Sequence, residues 1–193
     1  GFIEMAKQLY ADIAKHTQEK HIMLIGSSGN IGGRALSVLL QHGKAASITA
    51  FDRKPPKIKD LPGNVKVFSG EEGDITSVEA LSQAMQGNSV VVCAIGVPRY
   101  PAPGDKKLTP DELERQGMQN IVDAAKKTGV HQIVYISALG VARGDNIPAF
   151  HAAHLAKREA ENILKKSGIV YTILRPSGYF FDFRELLAAA VAG

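Results

Sequence analysis

Apolar positions along this chain come in two rhythms that take turns. Short runs rich in Val, Ile and other apolar residues, at 22–25, 47–51, 65–68, 89–95, 132–136 and 169–174, read as strands. The runs at 22–25 and 89–95 are continuously apolar, as in a parallel strand buried on both faces. Between the runs, apolar residues recur at helical spacing. Ile31, Ala35, Leu36, Val38, Leu39 and Leu40 form one such face, Val78, Leu81, Ala84 and Met85 a second, and Leu113, Met118, Ile121, Val122 and Ala125 a third. A further helix is expected from about Phe150 to Lys166, closed by Gly168.

Caps and breaks sharpen these boundaries. Thr76 or Asp74 is expected to cap the second helix, and Thr109-Pro110-Asp111-Glu112 has the form of a helix start with Pro at the first position. The stretches 97–109 and 140–148 read as loops beyond the carboxyl ends of strands, where ligands usually lie. Ahead of the first strand, Ile3, Ala6, Leu9, Tyr10 and Ile13 give a leading helix, and a last short helix is expected to end at Val191. Regular alternation of strand and helix calls for right-handed crossovers and a doubly wound parallel α/β sheet, order 3-2-1-4-5-6, with an extra N-terminal helix. Residues 1–18 form the appendage, and 19–193 form one domain whose substrate-binding part is reduced or truncated.

The junction of the first strand with the next helix carries the chemistry. The apolar run ends in Gly26-Ser27-Ser28-Gly29-Asn30-Ile31-Gly32, and helical spacing resumes at once. Gly26 suits a backbone closed to other residues, Gly29 lets the main chain approach a ligand, and Gly32 lets the helix pack closely. The unpaired N–H groups of the helix's first turn then favour a pyrophosphate. Asp52 ends the second strand roughly twenty residues beyond the last glycine, where a ribose is held in such units. No Lys-Ser or Lys-Thr pair follows the glycines, which excludes a Walker-type loop and favours a dinucleotide over ATP.

Composition narrows the picture further. The 193 residues, 45% of them hydrophobic, suffice for one domain with a sizeable core. The net charge of +4 is spread among acids except at Arg53, Lys54, Lys57 and Lys59, and the chain has no Trp, so a nucleic-acid groove is not indicated. The single Cys93 rules out an intrachain disulfide framework and suits a reducing compartment. No stretch reads as a membrane span, and the acids within the leading helix set it apart from a signal peptide, so a cytoplasmic location is expected.

In combination these segments are more specific than the glycines alone. With the turn at 26–32 go Gly73-Asp74, Ala94-Ile95-Gly96, Tyr135-Ile136-Ser137-Ala138, His154-Leu155-Ala156-Lys157 with Glu161, and Gly168 through Tyr171 to Arg175-Pro176. From about Lys20 to Phe183 the chain resembles the atypical short-chain dehydrogenase/reductases, the NmrA-like and flavin-reductase-like group of the extended Rossmann superfamily. The resemblance implies that Gly26, Ser28, Gly29, Asn30, Ile31 and Gly32 bind the cofactor pyrophosphate. It further implies that Asp74 and Ile75 border the adenine and that Ala94, Ile95 and Gly96 line the nicotinamide ribose. Lys157 would lie beneath that ribose and ease proton transfer by its charge. Ordinary members carry a tyrosine four residues before this lysine, and here that position is Ala153.

Each candidate has a plain reading beside its chemical one. Ser137 could hydrogen-bond a substrate carbonyl or cap the following turn. Lys157 could serve the cofactor or be one more solvated helix lysine. His154 could donate a proton, yet one residue along a helix rotates a side chain by about 100° away from the tyrosine's place. His151, one turn earlier, lacks the third ligand that would make a metal site. Cys93 sits in an apolar strand as a structural thiol. Asp52 favours NAD by accepting ribose hydroxyls, whereas Arg53 and its basic neighbours favour NADP by pairing with a 2′-phosphate. NADP is the expected cofactor, with NAD the alternative.

Two functions fit. The first is an NAD(P)-dependent oxidoreductase that passes hydride to a small carbonyl, quinone or flavin, the last two suiting a site without the tyrosine because their proton can come from solvent. The second is a non-catalytic NAD(P)-binding redox sensor or assembly factor of the NmrA-like type, for which the leading helix and Tyr179, Phe180, Phe181 and Phe183 offer contact surfaces to a protein partner or a second copy. An epimerase or dehydratase of nucleotide sugars fits less well.

Overall fold

A computed structural model of the chain describes residues 1–96, 108–143, 151–177 and 179. Six strands form one parallel sheet: β1 (His21–Ile25), β2 (Ser47–Phe51), β3 (Val65–Phe68), β4 (Val90–Cys93), β5 (Gln132–Ile136) and β6 (Val170–Leu174). Their order is β3-β2-β1-β4-β5-β6, the one expected from the sequence. The helices are α1 (Phe2–Thr17), α2 (Asn30–His42), α3 (Val78–Met85), α4 (Gly117–Thr128), α5 (Gly140–Arg143) and α6 (His151–Lys166).

Register explains which side chains meet. Met23 lies between Thr49 and Val91, and Ile25 between Phe51 and Cys93. Met23, Ile25, Val91, Cys93, Ile133 and Tyr135 therefore point to one face and pack with Leu81 and Met85 of α3, Met118 and Ile121 of α4, and Leu164 of α6. The alternate residues Leu24, Ile48 and Ala50 meet Leu36 of α2 on the opposite face. The leading helix α1 joins α2 through the Tyr10 ring, stacked on His42 at 3.7 Å.

The elements depart from expectation in three places. The N-cap of α3 is Ser77, whose hydroxyl accepts from the Ala80 N–H at 3.1 Å. Asp74 and Thr76 instead close a local turn before it, with Thr76 N–H and hydroxyl both donating to Asp74 Oδ1. The third helix begins through a π-helical turn, Asp111–Gln116, ahead of α4, after a capping box in which Thr109 and Glu112 bond each other's backbone N–H. Gly140–Arg143, read as loop, makes one helical turn. The expected loop at 97–107, residues 144–150 and the short final helix lie outside the described residues.

Candidate functional site

The ends of β1, β2 and β4 converge at the glycine turn. Gly26 N–H bonds Phe51 O and Ala94 N–H bonds Ile25 O, each at 2.9 Å, so the three chain exits are fastened side by side. Gly26 has φ +85°, and a Cβ there would stand 2.7 Å from Ala94 O. A Cβ on Gly32 would fall 2.0 Å from Gly26 O, so this glycine is required by contact between α2 and the turn itself, rather than by contact with the sheet. Gly29 is the N-cap of α2, and among the described residues no side chain caps the helix. The first-turn amides are thus left to a ligand. Ser27 Oγ is buried in the turn without a hydrogen-bond partner among the described residues.

Beyond the turn opens a cleft lined by Ile25, Gly26, Gly29, Phe51, Asp52, Arg53, Gly73, Ile75, Ala94, Ile95, Gly96 and Leu113. Eight of the residues expected at the cofactor are on this wall: Gly26, Gly29, Asp52, Arg53, Ile75, Ala94, Ile95 and Gly96. Ser28 stands behind Asp52, donating to its Oδ2 from the backbone N–H at 3.0 Å and from the hydroxyl at 2.7 Å. Asn30, Ile31 and Gly32 form the first turn of α2. Asp74 is not on the wall, and its Oδ1 accepts from Thr76. Gly73 is there because a Cβ would meet Asp52 O at 2.1 Å, which brings the exit of β3 against the end of β2.

The expected catalytic residues Ser137, His154 and Lys157 are not among the residues lining this cleft. Lys157 of α6, its side chain 13% exposed, reaches Ile95 O at 3.5 Å, Ile136 O at 3.3 Å and the Tyr135 hydroxyl at 3.4 Å. Its Nζ is 2.8 Å from Glu114 Oε1, off the line of a hydrogen bond, so the contact is an ion pair. The solvated-lysine reading is thereby set aside. Tyr135 donates to Glu114 Oε2 at 2.7 Å. Burial, with the Glu114 charge beside it, raises the phenol's pKa far above its usual range.

Ser137 is buried and donates to Glu161 Oε1 at 2.7 Å. Glu161 also receives Arg175, through Nε at 2.8 Å and through Nη2, and Lys165 at 3.1 Å. Burial would raise this carboxyl, but the hydrogen bonds from Arg175, Ser137 and Lys165 outweigh it and bring the pKa to about 2. The His154 ring covers Gly140, where a Cβ would lie 2.3 Å from its Cε1. His151 sits at the start of α6, and no group of three metal-ligating side chains occurs among the described residues. Burial pushes the Cys93 thiol up to about 12, as befits a structural cysteine.

Glu114 and Tyr135 were not anticipated as site residues. A signal existed in the spacing: Glu114, Met118 and Ile121 share one face of the third helix, and a carboxylate among buried apolar positions needs a partner.

An uncapped helix start, a carboxylate at the end of β2 and a cleft at the reversal point of a 3-2-1-4-5-6 sheet together define a dinucleotide-binding Rossmann-type domain. The chain belongs to the NAD(P)H-binding family, whose model matches residues 26–184. It is similar to a chloroplastic protein of Arabidopsis thaliana, 32% identical over 82% of this chain and 59% of that protein. It is similar also to a sanguinarine reductase of Eschscholzia californica, 26% identical over 92% of this chain and 77% of the relative. Among solved structures it matches the NADPH-dependent quinone oxidoreductase QOR2 of Escherichia coli in complex with NADPH. That match has a TM-score of 0.65 at 26% identity, covering 89% of this chain and 53% of that one. The chain thus spans little more than half the length of two of these three proteins.

Proposed function

We propose that the chain is an NADPH-dependent reductase acting on a quinone, flavin or small carbonyl, with a two-electron acceptor of the quinone or flavin kind favoured. Two hydroxyls carry this reading. Among the described residues, the Tyr135 hydroxyl lies beside Lys157 and the Ser137 hydroxyl follows the end of β5, and each gives its hydrogen to a buried carboxylate, Glu114 and Glu161. Neither is set to hand a proton to a substrate. A quinone or flavin meets that condition, because a bound nicotinamide would supply the hydride and the balancing proton would come from water. Names among the relatives, a quinone oxidoreductase and a sanguinarine reductase, support the same chemistry.

The chain's own part is to bind and orient. The amides of the α2 start hold the pyrophosphate, Ala94, Ile95 and Gly96 bound the nicotinamide half, and Lys157 supplies positive charge behind it. Arg53 lines the same wall as Asp52, and a guanidinium there supports a 2′-phosphate and hence NADPH over NADH.

NADPH oxidation is to be followed with a panel of quinones, flavins and aldehydes. Turnover with a quinone or flavin, lowered about a hundredfold in Lys157→Ala, supports the reductase. Saturable cofactor binding with no turnover on any acceptor would instead support the sensor reading.

A further inference from the structure

The π-helical turn Asp111–Gln116 carries two neighbouring buried residues. Leu113 joins the wall of the cofactor cleft and packs on the core, and Glu114 beside it is buried with 1% of its side chain exposed. Gly117 just beyond lets the helix close on Ile75, whose Cδ1 a Cβ would approach to 3.1 Å.

Glu114 has costly surroundings for a carboxylate. One oxygen accepts from the Tyr135 hydroxyl, and among the described residues the other is held by the charge of Lys157 alone. A buried ion pair is poor value as a stabiliser, because desolvating two charges offsets most of their attraction. Its place is more telling. The same Nζ that faces Glu114 also reaches the carbonyl of Ile95, a residue of the cleft wall.

We propose that Glu114 is a positioning residue, which holds the Lys157 ammonium aimed at the Ile95 side of the cofactor cleft, with Tyr135 orienting the carboxylate. The proposal rests on the cofactor reading above. Among the described residues, the other titratable groups around Lys157 are the Cys93 thiol on β4, the Tyr135 phenol on β5, and His154 and Glu161 on α6 itself. Glu161 is committed to Arg175, Ser137 and Lys165. Glu114 is therefore the carboxylate that answers the Lys157 charge.

The test needs no cofactor. Competitive acetylation of the whole chain with trace acetic anhydride at one fixed pH, followed by mass spectrometry, reads each lysine's reactivity, with exposed Lys126 as reference. In Glu114→Gln the labelling of Lys157 relative to Lys126 is expected to rise at least about fivefold, because the ammonium loses the carboxylate that holds it. Glu114→Asp, with its carboxylate drawn back by one methylene, is expected between the two and serves alone should the Gln variant not fold. Lys157 labelling unchanged in both variants would overturn the proposal. Turnover separates this result from the reductase reading. If wild type reduces a quinone, Glu114→Gln should lower kcat about tenfold with KM for the quinone little changed. If wild type reduces no acceptor, the reductase reading fails and the labelling still decides the role of Glu114.

Discussion

Acid should loosen this protein through one carboxylate. Glu161 is brought from 4.5 to about 2 in the folded chain, so folding gains from its ionised form. That gain is complete above pH 4.5 and is lost as pH falls toward 2, because the unfolded chain takes up the proton first. Full conversion of the shift corresponds to about 3 kcal/mol. Lys165 and Arg175 are 40% and 36% exposed at their side chains, and water screens part of the attraction, which leaves about 2 kcal/mol. Urea unfolding of wild type at steps between pH 7 and pH 2.5 should show the midpoint falling through this window. Glu161→Gln should lose about 2 kcal/mol at pH 7, the scale of a charge-assisted hydrogen bond removed, and flatten this part of the pH profile. A Gln variant that falls as steeply as wild type below pH 4.5 would refute the assignment to Glu161.

Two further outcomes follow from the geometry. Gly32→Ala would drive a Cβ to 2.0 Å from Gly26 O, so α2 and the turn must part, and NADPH affinity read by fluorescence titration should drop at least about tenfold. Unaltered affinity would mean that the turn does not hold the pyrophosphate. Cys93, buried and with its thiol raised to about 12, should resist Ellman's reagent at pH 8 in the native chain and react once urea unfolds it. Fast labelling of the native chain would contradict the placement of β4.

Much of the fold was legible because its signals are local. Strands write themselves as short runs rich in β-branched and apolar residues, and β2, β3 and β5 fall on the expected residues. The glycine turn was legible for the same reason: strand, glycines and helix are contiguous. The inner wall of the site was harder. Lys157 joins Glu114 and Tyr135 across three elements, and Ser137 finds Glu161 and Arg175 only when α6 lies across β5 and β6. Sequence shows that Ser137 has a hydroxyl, but its partner is a tertiary fact, and the partner turns a candidate substrate donor into a bond holding a carboxylate. The π-helical turn was hidden likewise, since the capping box at Thr109 and Glu112 announces a helix start without revealing the wider turn after it.

The central claim is that the turn at Gly26, Gly29 and Gly32, with the cleft from Asp52 to Gly96, holds a nicotinamide dinucleotide. Calorimetric titration of the chain with NADPH and with NADH tests it most directly. The structure predicts saturable binding of one NADPH per chain, with NADH weaker and Gly32→Ala weaker still. Absence of saturable binding by either dinucleotide to the folded chain would contradict it.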